Sequence, residues 1–212
     1  MPTSLERSPE LAAAPPGRIA QATGPAPRQP EARLDLAALS ALPLHGFVQA
    51  LSGVLEYAPQ LIERTWEKRP FESAADLYGQ LMEELHRAPE AEKRQLLAAH
   101  GDLGDALGLE GHLSLACLHE QRAAGLHSGP MAEREKLHEL SARYRRRFGF
   151  PCLIALQPLG RGQVIRTLAR RLRNNAADEF AENLRQLGLI ASYRLQRRCT
   201  PPRRALAAML SA

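Results

Sequence analysis

From Leu34 onward, apolar residues return every three to four positions, and no stretch alternates as a half-buried strand would. The pattern predicts a series of amphipathic helices punctuated by prolines and glycines. Asp35 to Leu42 is a short helix closed by Pro43, and Leu44 to Leu55 carries Phe47, Leu51 and Val54 on one stripe. Pro59 suits the first turn of a helix holding Leu61, Ile62 and Trp66, which Pro70 stops. Ser73 caps a helix lined by Leu77, Leu81 and Leu85, and Pro89 opens Glu90 to Ala99 with Leu96 and Leu97. A glycine-rich loop follows, Gly101 to Gly111. Ser114 to Ala124 is helical and ends at Gly125, a left-handed cap. Met131 to Arg147 turns Leu137, Leu140 and Tyr144 inward. Phe148 to Leu156 reads as a short extended apolar crossing, and Gly162 to Arg173 and Ala176 to Arg197 as two more helices, the last broken by Pro201 and Pro202. With short connections, the expected fold is all-α: a compact single-domain bundle of about eight to ten helices over 34–212.

Residues 1–33 lack any such period. Seven of the sixteen prolines fall there among Ala, Gly and Ser, so a disordered Pro/Ala-rich tail is expected. Hydrophobic residues are 44% of the 212 and aromatics only 5%, so the core must lean on Leu, Ala, Ile and Val. No run approaches the about 18 apolar residues of a membrane span. No basic-then-apolar signal segment opens the chain, and Cys117, Cys152 and Cys199 are odd in number and far apart. Both features point to a cytoplasmic protein with reduced thiols. The charge is graded: 15 Lys/Arg stand against 3 Asp/Glu from Leu140 on, and 13 against 20 before it. A basic half fits a nucleic-acid face, an anionic small substrate, or pairing of opposite faces within an oligomer.

Candidate chemistry is sparse. His45, His86, His127 and His138 lie among polar neighbours, and His112 and His119 flank the start and outer side of the Ser114 helix. A helical zinc pair built on His119 would need a second His four residues on, where the chain has Ala123, so no metal site is expected. His100 ends an apolar helix and opens the glycine-rich loop; it is either a simple C-terminal cap or a proton-transfer group beside a ligand. Glu120 and Gln121 precede Ala123-Ala124-Gly125, which allows close packing. They either enter the interior, where Glu120 needs a His or Arg partner, or form a solvated pair. Arg194 borders the stripe Leu184, Leu187, Ile190 and Leu195, where it either forks onto a carboxylate or snorkels.

Several of these segments, taken in order, resemble the OHCU decarboxylase family, OHCU being 2-oxo-4-hydroxy-4-carboxy-5-ureidoimidazoline. The residues carrying the resemblance are Phe47-x3-Leu51-x2-Val54-Leu55-Glu56-x2-Pro59, Arg69-Pro70-Phe71, Ala99-His100-Gly101-Asp102-Leu103 and Leu113-Ser114-x2-Cys117-x2-Glu120-Gln121-x2-Ala124-Gly125-Leu126. Then come Tyr144-x3-Phe148-Gly149-Phe150-Pro151, Arg171-Leu172-x-Asn174 with Glu179, and Ile190-Ala191-x2-Arg194-Leu195. The chain departs from the family pattern at Gly101 (usually Pro), Cys117 (Ser), Ser141 (Asn) and Cys152 (Phe).

The resemblance implies decarboxylation of OHCU to (S)-allantoin and carbon dioxide in urate breakdown, with no metal or organic cofactor. It implies His100 as the proton-transfer group and Glu120 as a catalytic partner that orients His100 or holds the ureido nitrogens. Gln121, Arg194, Cys117 and Gly101 would contact substrate. It also suggests a homodimer, and neither nucleic acid nor membrane as a partner. Two other readings stand beside it. One is a degenerate homologue serving as an interaction or ligand-binding subunit. The other is a nucleic-acid-binding module built on Arg143, Arg145, Arg146, Arg147 and the Arg166–Arg173 cluster, although aromatics for base stacking are scarce.

Overall fold

The computed structural model describes residues 33–105 and 113–199. The expected tail (apart from Arg33), most of the glycine-rich loop, His112 and the segment from Pro201 on lie outside the described residues. Among the described residues nine helices run in order: α1 Leu36–Ala41, α2 Leu44–Leu51, α3 Pro59–Trp66, α4 Ala74–Arg87, α5 Glu90–Ala98, α6 Leu115–Ala123, α7 Met131–Phe148, α8 Arg161–Arg171 and α9 Ala176–Arg198. Local chemistry sets most of the starts. Ser73 accepts from the Asp76 amide at 3.0 Å, Ser114 from Cys117 at 3.0 Å and Asn175 from Asp178 at 2.9 Å, each satisfying an otherwise orphaned amide. Gly125 and Gly149, at φ +71° and +81°, turn the chain out of α6 and α7.

Helix ends lie within two residues of the expected ranges except at α2. Helix α2 ends at Leu51, not Leu55, because the chain tightens there: the Val54 amide reaches only three residues back, to the Leu51 carbonyl at 2.8 Å. Val54 and Leu55 are nonetheless buried, so the apolar stripe outlasts the helix that it suggests. Helix α3 ends at Trp66, ahead of the residue before Pro70, which is biased away from helical geometry.

Helix α2 packs on α3, α3 on α4, α4 on α9 and α7 on α8. Phe47, Leu51, Leu77, Leu81, Leu97, Leu137 and Leu168 are core residues at 0% exposure. The expected extended crossing pairs with no other strand; among the described residues the only β pairing is an isolated bridge, Leu34 with Cys199. Side chains satisfy the crossing instead. Asn183 accepts from the Leu153 amide at 2.9 Å and donates to the Pro151 carbonyl at 2.9 Å. Gln186 accepts from the Ala155 amide at 2.8 Å, and Arg171 donates to the Leu153 carbonyl at 2.6 Å. Arg171 is itself fully buried and paired with Glu179 at 2.8 Å, and Tyr144 donates to the same carboxylate.

The arginines that suggested a nucleic-acid face are partly committed internally. Arg145 bonds Asp102 and the His100 carbonyl, Arg147 the Leu172 and Asn174 carbonyls, and Arg171 the buried network.

Candidate active site

The turn between α2 and α3, the end of α5, helix α6, the extended crossing and α9 meet around one cavity. It measures about 420 Å³ with its open mouth, and its lining includes Glu56, His100, Gly101, Cys117, Glu120, Gln121 and Arg194. All six residues singled out from the sequence therefore share it.

Arg194 is the hub. Its Nε and Nη2 reach the two oxygens of Glu120 at 2.7 and 2.8 Å, a bidentate fork. Its Nη1 lies 3.0 Å from Glu56 Oε1. Ser114, besides capping α6, donates its hydroxyl to that same Glu56 oxygen. Arg194 and Glu56 are each 7% exposed at the side chain and Glu120 16%. Burial opposes the guanidinium charge, but the bond to Glu120 and the charge of Glu56 outweigh it, so its pKa is raised and it stays cationic. Of the two alternatives for Arg194, the fork is the one realised. Its partner is Glu120, so both oxygens of Glu120 engage Arg194 rather than His100.

His100 is 7% exposed. Its Nδ1 lies 2.9 Å from the Leu96 carbonyl. A carbonyl only accepts, so Nδ1 carries the hydrogen and Nε2 is the basic nitrogen of the neutral ring. Burial lowers the imidazole pKa; the Leu96 carbonyl and Glu56 pull the other way, and Arg194 adds to the lowering. The result is an imidazole poised to accept a proton.

Gln121, 1% exposed, holds the loop after His100: its oxygen accepts from the Gly104 amide at 2.9 Å and its nitrogen donates to the Asp102 carbonyl at 3.2 Å. The same nitrogen reaches Cys117 Sγ at 3.5 Å. Burial pushes the Cys117 thiol up to about 11 and Cys152 up to about 12, so neither is a thiolate at neutral pH. Gly101 lines the wall beside His100. Among the described residues, no group of three His, Cys, Asp or Glu side chains is placed to hold a metal ion.

The sequence reasoning missed two contributors. Glu56 lies in the apolar run Val54 to Ala58, and a lone carboxylate in such a run was the available signal for a buried ion pair. Cys152, Leu153, Ile154 and Leu156 form one wall; their apolar run marks the extended crossing but not its place at the site. A wider depression of about 710 Å³, containing Gln157, Pro158, His119 and Arg197, shares Glu120 and Leu156 with the cavity.

Comparison with known proteins fits this geometry. The family model described as OHCU decarboxylase matches residues 40–196. A relative in Bos taurus named 2-oxo-4-hydroxy-4-carboxy-5-ureidoimidazoline decarboxylase is 33% identical over 76% of this chain and 95% of its own length. A protein of the same name in Halalkalicoccus jeotgali is 30% identical over 80% of this chain and 94% of its own. In fold, the chain is similar to a solved structure titled as an (S)-allantoin synthase. The TM-score is 0.63 at 22% identity, covering 78% of this chain and 54% of that one. The folded chain, with His100, Glu120 and Arg194 around one cavity, belongs to the OHCU decarboxylase family.

Proposed function

We propose that this protein removes the carboxylate of OHCU, giving (S)-allantoin and carbon dioxide in urate degradation. The observation that carries the reading is the convergence of an imidazole, a forked guanidinium and two carboxylates on one cavity. The substrate supplies its own electron sink. When the carboxylate leaves the carbon that bears the hydroxyl, its bonding pair forms a double bond to the adjacent carbon, and the carbon–nitrogen π pair moves onto nitrogen, which takes up a proton. The resulting enol gives up its hydroxyl proton, and the neighbouring carbon gains one. One proton is consumed for each carboxylate lost.

The protein's part is therefore positioning and proton handling. His100 Nε2 accepts the hydroxyl proton and returns a proton to carbon. Arg194 holds an anionic or carbonyl oxygen, and Glu120 and Glu56 fix its orientation. Glu120, at the mouth, also meets ureido nitrogens. Gln121 holds the His100 loop and, with Gly101 and Cys117, shapes the wall against the ring. Closing one face to protons yields a single enantiomer. The reduced thiols fit a cytoplasmic setting, the graded charge fits a homodimer, and the reading requires neither nucleic acid nor membrane.

The test is decarboxylation of OHCU freshly generated from urate, followed by chiral analysis. The expected product is (S)-allantoin, formed faster than in buffer; racemic allantoin at the buffer rate overturns the reading.

A further inference from the structure

Tyr57 holds an unusual backbone conformation. Among the described residues it is the only non-glycine with positive φ, at +59°. Bulky L-residues seldom enter this left-handed region, and those that do tend to mark sites where strain serves a purpose. Burial offers no compensation: Tyr57 is 41% exposed, whereas its neighbours Glu56 and Ala58 are 6% and 3%.

The turn lets Glu56 face Arg194 while Tyr57 meets His100. The two rings lie 5.0 Å apart at 76°, an edge-to-face contact. Its sequence neighbour Glu56 and its ring partner His100 both line the active-site cavity. Tyr57 also lines a second, solvent-open cleft of about 510 Å³ with Gln60, Leu85, Lys93 and Leu96. Leu96 is the residue whose carbonyl holds His100 Nδ1. The Tyr57 ring therefore stands between that cleft and the imidazole.

We propose that Tyr57 is a positioning residue for the decarboxylation: its ring walls His100 off from the outer cleft, keeping the imidazole out of water and in one orientation. The inference rests on His100 being the proton-transfer group. The charges around His100 are Glu56 from the α2–α3 turn and Arg194 from α9, itself bound to Glu120 of α6. Arg145 of α7 sits on the His100 carbonyl. Removing the Tyr57 ring deletes its edge-to-face contact and opens the imidazole to the outer cleft, while Tyr57→Phe keeps both the contact and the barrier. Since burial is what chiefly lowers its pKa, the change must be upward.

The experiment uses Tyr57→Gly, which deletes the ring and relaxes the backbone together, and Tyr57→Phe, which keeps the ring. Tyr57→Asn, tolerant of left-handed geometry, serves as a second ring deletion in case the glycine variant does not fold. The imidazole of His100 is titrated by NMR without substrate, and kcat/KM for OHCU is followed against pH. In the ring deletions the imidazole should titrate higher by roughly one pH unit, with the acidic limb of kcat/KM moving by the same amount. Tyr57→Phe should restore both. An unmoved imidazole titration in the ring deletions, or no restoration by Tyr57→Phe, overturns the shielding role. An imidazole that shifts while the kcat/KM limb stays put supports shielding and removes His100 as the proton-transfer group instead.

Discussion

One guanidinium shared by a buried and a partly buried carboxylate leaves the charge at the site unbalanced, and that imbalance governs what single substitutions do. Arg194→Ala strands Glu56 and Glu120 without their cation. Breaking a buried pair in this way costs about 3–5 kcal/mol, which a urea unfolding curve should register. Arg194→Lys keeps the charge but loses the fork, so it should fold and show its defect chiefly as a raised KM. His100→Asn keeps a hydrogen bond to the Leu96 carbonyl within reach and removes the base; kcat should fall roughly 100- to 10,000-fold with little change in the thermal midpoint. The pH dependence follows from the lowered pKa of His100. The ring is neutral and competent above that value and protonates as pH falls through it, so the acidic limb of kcat/KM should be centred below the ordinary 6.5. The stability that this depressed group contributes is present above 6.5 and is lost as pH falls toward the folded value. A limb centred above 6.5 would contradict the burial argument.

At the scale of elements, what the sequence made legible was local. Ser73, Ser114 and Gly125 announce their helix ends because the cap bond or the left-handed turn lies within a few residues. The end of α2 was not legible, because Val54 and Leu55 prolong its stripe while serving the core from a turn. The site was legible only through the ordered motifs. Glu120 and Arg194 are 74 positions apart, and no local period pairs a carboxylate on α6 with a guanidinium on α9. Glu56 escaped for the same reason. The crossing was read as strand-like because its residues are extended and apolar; it lacks a strand partner because α9 side chains take its backbone groups. Asn183→Ala therefore leaves the Leu153 amide and Pro151 carbonyl unsatisfied in the core. It should destabilise by about 1–3 kcal/mol per group, measured by chemical denaturation, and lower kcat/KM by loosening the cavity wall.

For the whole molecule, a ligand that bridges several segments should stabilise all of them at once. Allantoin at about 100 times its dissociation constant adds about 2.7 kcal/mol, so the thermal midpoint should rise by roughly 5 °C or more for a chain of this size. Arg194→Lys should reduce that rise at equal ligand concentration. Failure of allantoin at any concentration to move the midpoint would speak against a product-binding cavity. Helix α9 has a broader part in this. It carries Arg194 near one end and, two to three turns earlier, the Asn183 and Gln186 side chains that grip the crossing. Arg194 and the side chains that hold the cavity wall thus ride on a single rod. The amide hydrogens of Leu153 and Ala155 should exchange with solvent only when that rod lifts away, so their exchange should time the opening of the cavity.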